Sequence, residues 1–204
     1  LLEEEERLTP QQRRELLTGA NEDALWLIRV VENLLSITRL GPENTRLRKS
    51  MEAAEEVVEG AVAKFAKRYP YIRVNVSLPD ELLMVPMEPL LIQQVLTNLL
   101  ENAALHGGNV HCVTVSLSRK DDDWAMIIVS DDGKGILPEK LPTIFDGMGQ
   151  SAPRSDIKRN MGIGLSVCRT VMLAHGGRIY AANLEKGGAS FCLELPMKED
   201  EDEG

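Results

Sequence analysis

Two asparagines one helical turn apart are the first residues in this sequence whose type and spacing could do chemistry. Asn98 and Asn102 lie in an apolar segment with helical periodicity, and their i, i+4 spacing puts both side chains on one face. Asparagine is a poor residue inside a helix because its amide competes with the backbone for hydrogen bonds, so two at this spacing suggest a role for the side chains. A neutral amide oxygen can bind a Mg²⁺ ion that also holds phosphate oxygens. Taken alone, the pair could equally be helix-surface amides.

A second polar segment, Asp131 to Gly135 (DDGKG), directly follows the apolar run Trp124–Ser130, which is predicted to be a strand. A carboxylate at a strand end can accept a hydrogen bond from the exocyclic amino group of adenine, which selects adenine over guanine. Gly133 and Gly135 permit a tight turn and let a ligand approach the backbone closely. Aspartate and glycine also form many ordinary turns, so this segment alone does not specify a nucleotide.

Two more glycine-containing segments interrupt the apolar pattern, and the first of them could bind phosphate groups. Gly162-Ile163-Gly164-Leu165 opens a predicted helix, where unpaired N–H groups and the helix dipole favour anions. It is not a P-loop, because no Lys-Ser/Thr pair follows it. Lys158 and Arg159 precede it and could neutralise phosphates or remain solvated loop charges. Gly187-Gly188 precedes the last predicted strand and alone would indicate only a hairpin turn.

The composition is that of an ordinary folded protein with an acidic surface. Of its 204 residues, 43% are hydrophobic and 27% are charged, and the formal net charge is −9. This charge argues against a general nucleic-acid binder, which requires excess positive charge. No apolar run approaches the roughly 20 residues of a membrane span. The three cysteines contain no CxxC pair, which argues against a disulfide scaffold or structural zinc and favours a reducing, cytosolic setting.

The first element that could position these segments is a long amphipathic helix over Thr9–Leu40. Thr9 suits the N-cap, Pro10 suits the first helical position, and Gln12 can close a capping box. Apolar residues recur in 3-4-3-4-3 steps, the spacing of a coiled-coil or helix-bundle seam, at Leu17, Ala20, Ala24, Leu27, Val31 and Leu34. We expect this helix to pack in a bundle or dimer, with packing on its own globular domain as the alternative. Leu1 begins mid-pattern without an initiator Met, so we expect the sequence to be a fragment.

From Asn44 onward the sequence alternates between helical and strand patterns. The predicted helices are Ser50–Lys67, Glu88–His106 and Ile163–Ala174, and the predicted strands are Ile72–Leu78, His111–Arg119, Trp124–Ser130, Arg178–Asn183 and Ala189–Leu195. Helices segregated against a largely antiparallel sheet predict an α+β fold, a two-layer α/β sandwich. We therefore divide the chain into a helical segment, 1–43, a globular domain, 44–197, and an acidic disordered tail, 198–204.

Taken in order, the four segments resemble the nucleotide-binding boxes of one protein family. NLLEN, DDGKG, GIGL and GGASF stand in the order of the N, G1, G2 and G3 boxes of sensor histidine kinases, which belong to the Bergerat (GHKL) ATP-binding proteins. Ile144-Phe145-Asp146 stands where that family has its F box. The similarity runs from Thr9 to Pro196 and looks greatest to the KdpD-type potassium or turgor sensor kinases, through QQVLTNLLENA, GIGLSVCRTVMLAHGG, LTPQQRRELL and VENLLSITRL.

The resemblance implies a site for ATP and Mg²⁺. It makes Asn102 the metal ligand, Asn98 a support for the phosphate side and Asp131 the adenine contact. The residues that it assigns to nucleotide binding are Asn98, Asn102, Asp131, Gly133, Gly135, Lys158, Arg159, Gly162, Gly164 and Leu165. Gly147–Met161 would be the ATP lid, and residues 9–40 would be the second helix of the dimerisation and phosphotransfer bundle.

The function that the resemblance implies is that of the ATP-binding catalytic domain of a two-component sensor histidine kinase. The γ-phosphoryl group would pass from ATP to a histidine, and then to an aspartate of a response-regulator receiver domain, within a homodimer formed by the bundle. The family's His-Glu/Asp-x-x-x-Pro acceptor motif is absent, so this chain should bind ATP without phosphorylating itself. The resemblance also implies a cytoplasmic domain of a protein anchored in the bacterial inner membrane.

Several positions depart from the family pattern. Leu105-His106 replaces the usual Lys-Tyr, Asp132 replaces an Asn, and Met148 and Gln150 replace an aromatic residue and a cation. These changes predict weaker nucleotide binding or a loose lid, without loss of binding. They also leave open the alternative of a degenerate nucleotide-binding or dimerisation module without kinase activity.

A second alternative is an ATP-hydrolysing member of the same superfamily, of the gyrase, Hsp90 or MutL type. Those proteins place a glutamate general base four residues before the metal-binding Asn, where this chain has Asn98. Glu101 lies about 100° around the helix from Asn102 and should point elsewhere. The sequence therefore favours phosphoryl transfer over hydrolysis.

Overall fold

The computed structural model of this protein describes residues 9–39, 47–146 and 163–198. The predicted lid, Gly147–Met161, lies outside these ranges, and with it Met148, Gln150, Lys158 and Arg159. Gly162 and residues 199–204 of the predicted tail are also outside the described residues.

The described residues form four α-helices and seven β-strands. In chain order they are α1 (Pro10–Arg39), β1 (Ser50–Ala53), α2 (Ala54–Arg68), β2 (Arg73–Ser77), β3 (Met84–Met87), α3 (Pro89–His106), β4 (Cys112–Arg119), β5 (Trp124–Asp131), α4 (Ile163–Ala174), β6 (Arg178–Asn183) and β7 (Ala189–Pro196). A short 3₁₀-helix spans Leu141–Thr143. Among these helices, none combines the length and the apolar character needed to cross a membrane.

Five of the strands form one mixed sheet in the order β2-β4-β5-β7-β6. β2 runs parallel to β4, and the other neighbours pair antiparallel, including the predicted β4–β5 hairpin. On one face of the sheet, alternate residues of β5 are buried, among them Ala125, Ile127 and Val129. Helices α2, α3 and α4 contact the sheet and share one hydrophobic core with it. The predicted α+β two-layer sandwich is therefore confirmed.

One predicted helix starts later than the sequence indicates. The helix expected over Ser50–Lys67 begins at Ala54, and Ser50–Ala53 is instead β1, which pairs antiparallel with β3. The sequence predicts neither strand, because each has only four residues and its pairing partner is distant along the chain. Strands this short carry too little alternation to be distinguished from the start of a helix.

Helix α1 begins at the predicted capping box. Gln12 N–H donates to Thr9 Oγ1 at 3.3 Å, and Thr9 N–H donates to Gln12 Oε1 at 2.9 Å. The helix contacts α3 and α4, yet Leu17, Leu27 and Val31 of the predicted seam remain more than half exposed. α1 therefore packs on its own globular domain along one side and leaves an apolar stripe exposed on another.

Candidate functional site

The first part of the candidate site is the face of α3 that carries the two asparagines. The Asn102 side chain is half-buried and makes no hydrogen bond with any other residue in the described ranges. Asn98 uses both ends of its amide: Oδ1 accepts from Gln94 Nε2 at 3.2 Å, and Nδ2 donates to Asn33 Oδ1 at 2.9 Å. Asn33 belongs to α1 and is buried. Helix α1 therefore lies directly against the predicted phosphate side of the site.

The amino end of α3 is fixed by a buried histidine. Glu88 caps the helix, because Leu91 N–H donates to Glu88 Oε2 at 2.6 Å. Glu88 N–H donates to His175 Nε2 at 3.1 Å, so Nδ1 carries the ring proton and donates it to the carbonyl oxygen of Val171 at 2.7 Å. Burial favours this neutral form and lowers the pKa of His175 to about 4. His175 follows α4, so this contact also fixes α3 against α4.

The second part of the site is Asp131, the last residue of β5, which is buried. Gly133 N–H donates to Asp131 Oδ1 at 2.9 Å, and Ala189 N–H donates to the same oxygen at 3.3 Å. These two backbone groups fix the orientation of the carboxylate. Because Ala189 begins β7, the predicted G1 and G3 segments are in direct contact.

Three chain segments approach each other at backbone distance around this carboxylate. Lys134 N–H donates to the carbonyl oxygen of Gly107, which follows α3, at 2.8 Å. A Cβ on Gly133 would lie 2.3 Å from that same oxygen. A Cβ on Gly188, which has φ +94°, would lie 1.9 Å from the carbonyl oxygen of Asp131. Glycine is required at both positions because the neighbouring backbones leave no room for a side chain.

The described G2 residues lie at the amino end of α4, beside the asparagine face of α3. A Cβ on Gly164 would lie 3.8 Å from Asn98 Cγ, an ordinary van der Waals distance. The next residue, Leu165, is 8% exposed and belongs to the hydrophobic core. The Leu165 side chain therefore packs in the core, although the family resemblance assigns that residue to nucleotide binding.

The predicted F box is anchored to β7 and α4. Phe145 packs edge-on against Phe191 of β7, with ring centroids 6.3 Å apart. Asp146 Oδ1 forms an ion pair with Arg169 Nη1 of α4 at 2.5 Å. These contacts hold the last residues before the predicted lid close to the helix that follows it.

Asp132, which departs from the family pattern, is hydrogen-bonded to the start of β4. Its Oδ1 accepts from His111 N–H at 2.9 Å and from Cys112 N–H at 3.1 Å. Burial acts to raise the pKa of Asp132, but these hydrogen bonds outweigh it and the pKa lies below its usual value. Asp132 lines a cavity of about 270 Å³ together with outward-facing residues of the sheet, Cys112, Thr114 and Ser130. Its charge is therefore compensated by backbone N–H groups.

Glu101 pairs with a neighbouring helix. Its Oε1 forms an ion pair with Arg68 Nη1 of α2, and its side chain is 6% exposed. This places Glu101 on a different side of α3 from Asn102, as the helical spacing predicts. A buried carboxylate held by α2 is not positioned to activate a water molecule beside Asn102.

Two asparagines that help to build the site are not predicted by the sequence. Asn183, at the end of β6, hydrogen-bonds both backbone groups of Ile136, and Asn33 of α1 hydrogen-bonds Asn98. A lone asparagine at a strand end reads as an ordinary turn residue, and one in a long helix reads as a surface residue. The partners of both residues are distant in sequence, so spacing gives no signal.

Comparison with protein families shows which family this chain resembles. The model described as "Histidine kinase-, DNA gyrase B-, and HSP90-like ATPase" matches residues 87–199, which contain α3, the sheet strands β4 to β7 and α4.

Named relatives are sensor kinases. The chain is 38% identical over 199 residues to the sensor protein KdpD of Clostridium acetobutylicum, covering 97% of this chain and 22% of that protein. It is 32% identical to the sensor protein KdpD of Escherichia coli K12, covering 83% of this chain and 19% of that protein. The chain thus spans about a fifth of the length of these two relatives.

A solved structure gives the same result for the fold. The catalytic domain of the histidine kinase ThkA superimposes with a TM-score of 0.61 at 25% identity, covering 73% of this chain and 95% of that one. The portion of this chain that is covered is about the size of the globular domain without α1.

Proposed function

The chain belongs to the histidine kinase-, DNA gyrase B-, and HSP90-like ATPase family as an ATP-binding domain of the sensor histidine kinase type, and from this premise we propose how it acts. It would bind MgATP between α3, α4 and the 131–136 turn and present the γ-phosphoryl group to a histidine outside this chain. The phosphohistidine would then supply an aspartate on a response regulator.

The observation that carries this proposal is a half-buried amide that has no hydrogen-bond partner in the described ranges, on a helix whose end is bonded to the turn after a carboxylate of fixed orientation. The Asn102 side chain makes no hydrogen bond within the described ranges, whereas Asp131 Oδ1 accepts from two backbone N–H groups. The hydrogen bond from Lys134 N–H to the carbonyl oxygen of Gly107 joins the end of α3, which carries Asn102, to the turn that follows Asp131. One group is thus available to a ligand, and the other is preorganised for one.

Each described site residue has a role in this proposal. The second oxygen of Asp131 would accept a hydrogen bond from the adenine amino group, while Oδ1 stays with the backbone. Asn98 would support the phosphates on the neighbouring turn of α3, and Gly164 would let them approach the amino end of α4. Gly133 and Gly135 shape the turn at the adenine end. Lys158, Arg159 and Gly162 remain proposals from the sequence alone.

The donor set at Asn102 suits a metal ion that is shared with a ligand. In the part of the chain that the structure describes, no three His, Cys, Asp or Glu side chains are grouped to hold an ion. A single neutral amide oxygen fits Mg²⁺, which retains most of its coordination sites for water and phosphate oxygens. When bound, the ion would neutralise charge on the phosphate oxygens. Asn102 would fix the position of those oxygens relative to α3.

The remaining roles concern the whole protein. The acceptor histidine would lie on a helix outside this chain, and the exposed stripe of α1 would form a homodimer with a second copy. By analogy with the KdpD relatives, the intact protein would be anchored in a membrane, with this domain in the cytoplasm.

ATP hydrolysis is the competing function within the family. It needs a general base beside the metal-binding asparagine. Asn98 cannot accept a proton in this role, and Glu101 is held by Arg68. We therefore expect any hydrolysis to be unaffected by Glu101→Gln, which keeps the side-chain shape and removes the charge.

The direct test is a calorimetric titration of the chain with ATP in the presence and absence of Mg²⁺. We expect binding in the micromolar range for the unmodified chain. Asp131→Asn should weaken binding with or without the metal, whereas Asn102→Ala should abolish the Mg²⁺-dependent part. Asn75→Ala, on the edge strand β2, is the matched control and should bind normally.

Absence of binding up to millimolar ATP would contradict the proposal. It would favour the alternative of a degenerate module, for which Leu105 in place of a lysine offers an explanation. Leu105 is 46% exposed at the last turn of α3, so it leaves no positive charge at that point.

A further inference from the structure

Asn183 makes a pair of hydrogen bonds that no part of the proposed function uses. Ile136 N–H donates to Asn183 Oδ1 at 2.7 Å, and Asn183 Nδ2 donates to the carbonyl oxygen of Ile136 at 2.7 Å. A side-chain amide is complementary to the N–H and C=O groups of a single residue, so the pair fixes which end of the amide is oxygen. The contact joins residues 47 positions apart in sequence.

The residue that Asn183 holds is the end of the turn that begins at Asp131. Gly135, directly before Ile136, has φ +76°, and a Cβ there would lie 2.8 Å from Asn183 Oδ1 and 3.2 Å from the carbonyl oxygen of Gly188. The turn is therefore packed against Asn183 as well as bonded to it. Glycine at position 135 is required by this packing and by its backbone conformation.

The turn from Asp131 to Ile136 is thus fixed at three points. Gly133 N–H and Ala189 N–H bind the Asp131 carboxylate, Lys134 N–H binds the end of α3, and Asn183 binds Ile136. Only the hydrogen bonds to the Asp131 carboxylate set its orientation directly. One of these comes from Gly133, so the orientation of the carboxylate also depends on how firmly the rest of the turn is held.

We propose that Asn183 is a positioning residue for adenine recognition, which acts by holding Ile136 and, through the turn, the Asp131 carboxylate. This inference rests on the proposed function, since it assumes that Asp131 accepts the adenine amino group. Asn183 itself does not touch the nucleotide. Asn183 should affect binding of the adenine base, because the phosphate side of the site is built from α3 and α4 and does not include the turn.

The test compares ATP with inosine triphosphate, in which an oxygen replaces the adenine amino group. Affinities of both nucleotides are measured by displacement of a fluorescent ATP analogue. Asn183→Ala should lower the affinity for ATP by about tenfold, the effect expected for loss of two exposed hydrogen bonds. It should lower the affinity for inosine triphosphate much less. The ratio of the two affinities should therefore fall.

Two further variants keep the result interpretable. Asn183→Asp retains the acceptor for Ile136 N–H and loses the donor to the Ile136 carbonyl oxygen. Its ratio of ATP to inosine triphosphate affinity should therefore lie between those of the unmodified chain and Asn183→Ala. Asn75→Ala makes the same change on β2, where the amide donates to Cys112 Sγ at 3.2 Å, and should leave the ratio unchanged. Melting of each variant without nucleotide shows whether it is folded.

Hydrogen exchange of the Ile136 amide separates failure of this inference from failure of the proposed function. Exchange should be slow in the unmodified chain and about tenfold faster in Asn183→Ala. If exchange quickens while both nucleotides weaken equally or not at all, Asn183 is only structural and the inference is overturned. If the unmodified chain binds no ATP, the proposed function fails and this inference fails with it, even where the exchange result shows that the hydrogen bonds exist.

Discussion

Asn102 is a residue whose type is unfavourable for a helix and to which we assign a role in nucleotide binding. Asparagine lowers the stability of a helix relative to alanine, and the half-buried amide of Asn102 has no hydrogen-bond partner in the described ranges. In the described ranges, no contact of the Asn102 side chain explains its presence. The metal-binding role proposed above would give the amide oxygen a partner.

Asn102→Ala should therefore raise stability while removing function. We expect the free energy of unfolding to increase by about 0.5 kcal/mol, from the difference in helix propensity, and Mg²⁺-dependent nucleotide binding to be lost. Urea unfolding and calorimetry on the same preparation measure both. A destabilised variant that still binds MgATP normally would show that Asn102 is a structural residue.

His175 should make stability depend on pH. Its pKa is lowered from 6.5 to about 4 in the folded chain, because burial and the nearby positive charge of Lys49 disfavour the protonated ring. The neutral His175 ring contributes fully to the free energy of unfolding above about pH 6.5, and this contribution is lost as the pH falls toward 4. The shift corresponds to about 3 kcal/mol.

Urea unfolding at pH 7 and pH 4.5 tests this prediction. His175→Gln should be less stable than the unmodified chain at pH 7 and should lose less stability on acidification. His111→Gln, at an exposed position, is the matched control and should keep the original acid sensitivity. Equal losses in all three proteins would mean that other groups cause the pH dependence.

Among the structural elements, the junction of α3, the 131–136 turn and β7 leaves no room for a side chain at Gly133 or Gly188. Its segments meet at backbone distance, so the predicted glycines are required by geometry before any ligand is considered. Gly164 differs from them, because a Cβ there would meet only Asn98 Cγ, at an ordinary distance.

A pair of glycine substitutions tests this distinction. Gly188→Ala should lower the free energy of unfolding by at least about 3 kcal/mol, because the Cβ would collide with the carbonyl oxygen of Asp131 and φ is positive. Gly164→Ala should change the free energy of unfolding by less than about 1 kcal/mol. Thermal melts compare the two. Similar melting temperatures for both variants would contradict the backbone-distance account of the junction.

The elements that the sequence predicts correctly are those encoded locally. Thr9 and Gln12 predict the cap of α1, and the apolar periodicity of α3 and α4 predicts both of these helices. Strands β1 and β3 escape prediction because their pairing is non-local and each is one turn of a helix in length. The residue types of the site are predicted for the same local reason, through their order along the chain.

Contacts between distant segments lie beyond such reasoning. The roles of Asn183 and Asn33 depend on partners in other elements, and Asp132 turns to the start of β4 although its position suggests a nucleotide contact. Leu165 is another example, since its side chain completes the core. These four residues show that motif order identifies a site without fixing which side chains face it.

At the scale of the whole molecule, α1 has two different sides. One side places Asn33 against Asn98, and the other leaves Leu17, Leu27 and Val31 exposed. An exposed apolar stripe on a long helix favours association with another helix. The homodimer proposed above would use this stripe, on the side of α1 that faces away from Asn98.

Sedimentation analysis tests whether this stripe forms a dimer. The unmodified chain should sediment as a dimer at micromolar concentration, and Leu27→Glu combined with Val31→Glu should shift it to monomer. Leu173→Glu, at a leucine of α4 that is 63% exposed, is the control and should remain dimeric. A monomeric unmodified chain would contradict the homodimer, and a dimeric double variant would assign the interface to another surface.

The most direct test of the central claim is to map ADP and Mg²⁺ onto the chain by amide chemical shifts. A nucleotide bound as proposed should shift Asp131 to Ile136, the turn of α3 at Asn102 and the first turn of α4. The outward face of the sheet, represented by Thr114 and Ser116 of β4, should be unaffected. Shifts confined to Thr114, Ser130 and the cavity beside Asp132, or no shifts at millimolar ADP, would contradict an ATP site on the helix side of the sheet.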